Sequence, residues 1–233
     1  MKVLSWENSD RLFWLGRYSE RVYSTIKFFS NKFDSMIDLK NYEYAEFCKN
    51  QDIPNIYSSK EDFTARYCFS RDDPNSICSN LIRAYDNAIV LREEIGSDTL
   101  CYIQLAVYAM NKARESNAPL LALQSVTDNI VAFWGMVDDS VDESNVRSIV
   151  KLGKRIERID NYARMKMHAE EIKRELKRLN IRIARTGLNY DARKLTHLNW
   201  LAEVEPLDYT GIIEEIESLV LNEKPNLALA AGL

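Results

Sequence analysis

The segment Leu15-Gly16-Arg17-Tyr18-Ser19-Glu20-Arg21-Val22 returns 137 residues later as Leu152-Gly153-Lys154-Arg155-Ile156-Glu157-Arg158-Ile159. In both copies the apolar ends stand two helical turns apart, and the basic, acidic and basic residues between them stand at i, i+3 and i+4. That spacing writes a helix with one apolar and one charged face, twice. Such a chain either repeats a unit of fold or sets two equivalent helices around one place.

A glycine inside a helix costs about 1 kcal/mol relative to alanine. The chain accepts that cost at Gly16 and again at Gly153, and close approach of another helix backbone is the simplest reason. The rest of the sequence agrees with helices: 7 glycines and 5 prolines among 233 residues are too few for an all-β protein or a glycine-rich nucleotide fold. The expected architecture is an all-α helical bundle with a weak internal twofold repeat, its motifs at 11–30 and 148–167, and one very long helix. A single domain is expected over 1–221, with a disordered tail over 222–233.

Leu15, Tyr18, Val22, Ile26 and Phe29 form one stripe of a helix from Arg11 to about Phe33. Residues Asn50 to Glu61 lack periodicity and read as a long surface loop. In Ser70 to Ile77, an Asp or Ser cap beside Pro74 starts a helix that ends at Gly96. Ser97 or Asp98 then caps a helix over about Leu100 to Arg114, and Leu120 to Val137 predicts an apolar helix buried on most sides. From Val146 the apolar spacing continues to Ile183 with no proline, which predicts one helix of about forty residues, roughly 60 Å long. Shorter helices are expected over Asp191 to Ala202 and Tyr209 to Leu221.

The formal charge of -4 hides an asymmetry: Arg147 to Lys194 carries 15 Lys/Arg against 6 Asp/Glu. A basic arm on an acidic body serves an anionic ligand, nucleic acid, an acidic partner or the protein's own acidic half. A pI of 5.4 and the interspersed Glu170, Glu171 and Glu175 argue against a dedicated nucleic-acid binder. Cys48, Cys68, Cys78 and Cys101 show neither a CxxC pair nor metal-ligand spacing, so free thiols in a reducing cytoplasm are expected. No signal sequence is evident, and no window approaches roughly eighteen uninterrupted apolar residues, the length of a membrane span.

Arg17, Glu20 and Arg21 share a face with Ser24, as Lys154, Glu157 and Arg158 do with Asn161. One reading is a solvated salt-bridge ladder, worth a few tenths of a kcal/mol per pair. The other brings the two helices together, so that Glu20 and Glu157 pair with arginines across a polar seam that holds an anion or docks a partner. Rival sites are less complete. Asp138, Asp139 and Asp142 form D-D-x-x-D, the spacing by which helical enzymes bridge Mg²⁺ to a diphosphate. They equally suit a helix end followed by an N-cap at Asp142 or Ser144. A second acidic cluster facing the first would be required, and Asp34 to Asp38 is the best available. His168 and His197 complete no E-x-x-H pair of a di-iron bundle and are expected at the surface. Trp14 and Trp134 sit among apolar neighbours and are expected in the core.

The segments LFWLGRYSERV, SRDDPNSICSNLIRAYDNAIVLREEI and LGKRIERIDNYARM, in that order, resemble the alpha-E family of all-helical bacterial proteins. The resemblance covers most of Leu4 to Met167. The second copy departs from it at Lys154-Arg155, where an arginine followed by an apolar or aromatic residue is commoner. Members stand beside, or fused to, circularly permuted ATP-grasp and transglutaminase-like proteins. The resemblance therefore implies an accessory subunit of an ATP-grasp-type ligase that forms peptide or amide bonds on a peptide or amino-acid substrate. ATP and Mg²⁺ would then be held by the partner ligase and no cofactor by this chain. The alternatives are a stand-alone Mg²⁺-dependent enzyme using Asp138, Asp139 and Asp142, or a self-associating helical scaffold.

Overall fold

The computed structural model describes residues 3–36 and 44–221, with the side chains of 30–36 outside that description. The acidic candidate Asp34 to Asp38 and the tail over 222–233 thus lie outside the described side chains. Among the described residues the fold is all-α, with a single isolated bridge between Tyr190 and Val220.

Helix α1 (Trp6–Met36) and α9 (Ser144–Arg164) pack on each other at the centre. On the far side of α1 lies α4 (Ile77–Val90), joined by Leu91 to the short α5 (Arg92–Ile95). Behind α4 runs α6 (Ser97–Arg114), which packs on α8 (Gln124–Asp139). On the other side, α9 is covered by α10 (Ala169–Ile183) and α12 (Tyr209–Glu217), with α11 (Ala192–Leu201) on α12. Helix α2 (Tyr44–Asn50), α3 (Lys60–Phe69) and the short α7 (Pro119–Ala122) complete the chain.

Local signals explain most boundaries. Ser76 caps α4 through its hydroxyl on the Ser79 N–H, and Asp191 and Asp208 cap α11 and α12 in the same way. Gly96, at φ +81°, ends α5. Neither Ser97 nor Asp98 caps α6, because its N-cap is Gly96 itself. Likewise the N-cap of α9 is Glu143 rather than Asp142 or Ser144.

Larger features also depart from expectation. The forty-residue helix is two helices, since α9 ends at Arg164 and α10 starts at Ala169. Lys166 takes a left-handed conformation at φ +51°, its N–H bonds to the Ala163 carbonyl and that of Met167 to the Tyr162 carbonyl. This is a Schellman stop built without glycine. The surface loop is shorter than 50–61: α2 and α3 flank it, and Ser59 caps α3 by accepting from the Asp62 N–H. The apolar stretch Pro119–Asp139 is long and apolar enough to cross a membrane by length and composition alone. It is split at Leu123 and buries only one face, through Val126, Ile130, Phe133 and Val137, while Leu121 and Val131 are exposed.

Candidate functional site

The site grows from the crossing of α1 and α9. A Cβ on Gly16 would strike the Val150 carbonyl, and one on Gly153 would strike the Phe13 carbonyl. Only hydrogen at both positions lets the two backbones touch. Val150 stands to Phe13 as Gly153 stands to Gly16, so each helix meets the other through equivalent positions. This reciprocity belongs to the helix pair; the neighbours of α1 and of α9 differ.

One turn beyond the glycines the charged faces meet. Arg158 donates to both oxygens of Glu20, Nε to Oε1 at 2.6 Å and Nη2 to Oε2 at 2.8 Å. Reciprocally, Arg21 donates to both oxygens of Glu157, Nε to Oε1 at 2.5 Å and Nη2 to Oε2 at 3.1 Å. Arg17 adds a third bond to Glu157 at 2.7 Å. Glu20 and Glu157 are at most 1% exposed. The solvated-ladder reading is therefore replaced by a buried seam of fork-to-fork pairs, the strong form of this interaction.

The second copy differs from the first at its leading base. Lys154 makes no counterpart of the Arg17 bond; its ammonium lies 3.1 Å from the ring centre of Trp134. Burial lowers its pKa to about 6, against the raising effect of Glu20 and with further lowering by Arg158. At Glu157 burial favours the neutral acid, but Arg21 and then Arg17 outweigh it and hold the carboxyl near 2. Arg21 is correspondingly held charged, its desolvation overcome by Glu157.

Several participants carry no mark of a site in the sequence. Glu175 of α10, 1% exposed, accepts from Arg155 at 2.6 Å and Arg178 at 2.7 Å, and lies 3.8 Å from Arg158. Asp160 and Arg164 continue the α9 charged stripe at i+3 and i+7 from Glu157, the one signal that could have found them. Arg164 donates to Asp160 at 3.0 Å and to Glu217 at 2.5 Å. Much of the basic arm is thus used on the protein's own carboxylates, Lys151 on Asp138 included.

The seam opens into two cavities. One, of about 240 Å³, lies against Arg17, Arg21, Glu157, Asp160 and Arg164. The other, of about 590 Å³, lies beyond Arg158 between Tyr23, Phe28, Tyr162 and Met165.

The rival candidates stand apart from this place. Asp138 and Asp139 end α8, Asp138 pairs with Lys151, and Asp142 offers its backbone carbonyl to Arg147. Among the described residues no group of three His, Cys, Asp or Glu side chains is placed to hold a metal ion. His168 is an exposed N-cap, and exposed His197 stacks on Trp200 and meets Glu215 at 2.7 Å. Trp134 is in the core, while Trp14 is half-buried beside Arg17. Cys48, Cys68 and Cys78 are buried free thiols, and Cys101 is an exposed one.

An all-helical domain organised around two Glu-Arg dipeptides with buried carboxylates is the class that this geometry defines. Residues 8–198 match the model of the Alpha-E family, described as a predicted alpha-helical domain with a conserved ER motif, and the chain belongs to that family. The dipeptide Glu-Arg occurs twice in the chain, at Glu20-Arg21 and Glu157-Arg158, and both are in the seam. Comparison with curated proteins and with solved structures finds no match.

Proposed function

We propose that this chain is an accessory subunit of an ATP-grasp-type ligase, contributing to peptide or amide bond formation on a peptide or amino-acid substrate. ATP and Mg²⁺ belong to the partner. The observation that carries this reading is the use made of the Glu-Arg pairs. Both carboxylates are buried and each is held by a guanidinium from the other helix. Groups so engaged are not free to attack a substrate or shuttle its proton. Their work is to lock α1 to α9 and so to shape the cavities and surface that the pair presents. Family membership supports the same reading, through the ligase context that the alpha-E resemblance implies.

The test is capture of the tagged chain from its own cytosol, followed by reconstitution. A stoichiometric ATP-grasp protein is expected, and its ATP-dependent amide formation should rise when this chain is added. Recovery of the chain alone, or a captured ligase indifferent to its presence, would overturn the proposal. The Mg²⁺-dependent alternative has less support, because Asp138 is already bonded to Lys151.

A further inference from the structure

The cavity of about 240 Å³ has walls of opposite charge. At one wall two guanidiniums share a single carboxylate: Arg17 lies 2.7 Å and Arg21 2.5 Å from Glu157. That group carries one positive charge more than it neutralises, an excess that nearby Asp160 offsets in part. At the other wall two carboxylates share a single guanidinium: Asp160 lies 3.0 Å and Glu217 2.5 Å from Arg164. That group carries one negative charge in excess. Glu157 and Asp160 are three residues apart on α9, a rise of about 4.5 Å along the helix.

A simple anion would approach Asp160 and Glu217 as well as the arginines, and a simple cation would meet Arg17 and Arg21. A ligand with both charges a few ångströms apart satisfies each wall. The cavity is smaller than the roughly 300 to 1,000 Å³ of sites for drug-sized molecules; the amides of Gln51, Asn75 and Asn80 continue its polar lining, and exposed Asp52 adds a further carboxylate to it. We infer that this cavity binds a small zwitterion, an α-amino acid or dipeptide, with its carboxylate at Arg17 and Arg21 and its ammonium at Asp160 and Glu217. Burial and the neighbouring Glu157 raise the Asp160 pKa to about 6, a cost that an incoming ammonium would relieve.

The inference rests on the ligase-subunit reading for its purpose, since it names the substrate class that such a subunit would hold. Its test does not depend on that reading, because binding is measured on this chain alone. Calorimetry and NMR titration of the full chain would use four probes: L-alanine, L-alanyl-L-alanine, N-acetyl-L-alanine and L-alaninamide. One or both zwitterions should bind, and loss of either charge should weaken binding about tenfold or more, the worth of one charged hydrogen bond. Glu217→Gln, whose side chain is 48% exposed, should leave the fold intact and weaken the zwitterion by a similar factor. Failure of both zwitterions to bind, or equal binding of the acetylated or amidated probe, would overturn the inference. A partner captured despite such a failure would leave the subunit reading standing. Zwitterion binding without any partner would do the reverse.

Discussion

Gly16 and Gly153 occupy equivalent places on two helices, and each faces a backbone carbonyl of the other, Val150 for Gly16 and Phe13 for Gly153. A methyl group at either has nowhere to go, because the obstacle is backbone in the middle of a helix. Gly16→Ala and Gly153→Ala should each destabilise the protein by about 3 kcal/mol, the upper part of the range for overpacking. Gly135 of α8 is the internal control: its added Cβ would meet nothing within 4 Å. Gly135→Ala should therefore gain about 1 kcal/mol from helix propensity. Denaturant unfolding of the three variants checks this, and similar losses at all three would refute the crossing as the reason for the paired glycines.

The seam below that crossing should behave as coupled pairs. Removing one partner of a buried ion pair leaves the other uncompensated, at a cost of about 3 to 5 kcal/mol. Glu20→Gln and Arg158→Met should each lose stability on that scale, while the double variant loses much less than the two singles together. A double-mutant cycle measures the difference. Simple additivity would mean that Arg158 is held elsewhere, by Glu175 for instance.

The centre of the fold was legible because α1 and α9 say the same thing twice. The paired glycines pointed to a close helix crossing, while the charged face left a solvated ladder and a shared seam both open; Glu20, Arg21, Glu157 and Arg158 lie in the seam. The division between α9 and α10 was not legible. The residue at the left-handed position is Lys166, and nothing in its chemistry announces a stop where glycine would. Glu175 was hidden for the same reason, since its return to the seam depends on the turn that separates α10 from α9. Lys154 read as a seam cation beside Arg17, Arg21 and Arg158, but the aromatic face of Trp134 on α8 captures it instead. Partners supplied by a third helix leave no trace in the spacing of the first two.

That turn carries its own expectation. A side chain in the left-handed region costs about 1 to 2 kcal/mol, and Lys166 is exposed. Lys166→Gly should stabilise the protein by about 1 kcal/mol. A loss in thermal or chemical unfolding would show that the lysine stem contributes packing that outweighs the backbone strain.

Lys154 is a second place where a natural residue works against the fold. Its pKa falls from 10.5 to about 6 through burial. Between those values the unfolded chain binds a proton that the native chain does not, so this group makes stability rise with pH across that window. Lys154→Met keeps the length of the side chain without the charge. It should be about 1 kcal/mol more stable at pH 6, because relief of the buried charge outweighs the cation–π attraction that the ammonium gives up. The advantage should shrink as pH approaches 10. A variant less stable than the natural protein at pH 6 would show that the attraction to Trp134 dominates.

Glu157 and Asp160, one turn apart on α9, should pull the pH dependence in opposite directions. Two arginines overcome burial and hold Glu157 near 2, below its ordinary 4.5. Its contribution is present above about pH 4.5 and is lost as pH falls toward 2. Asp160 is raised from 3.8 to about 6 by burial and by Glu157 itself, Arg164 only partly compensating. Between about pH 4 and 6 the native state therefore holds the proton more tightly, and stability declines as pH rises through that interval. Together they place the maximum of their joint contribution near pH 4 to 5. Asp160→Asn should remove the decline above that point and leave the acid limb unchanged, whereas Glu157→Gln should remove the acid limb. Urea unfolding from pH 3 to pH 8 separates the two, and an unchanged slope between pH 4 and 6 in Asp160→Asn would show that Arg164 neutralises Asp160 in full.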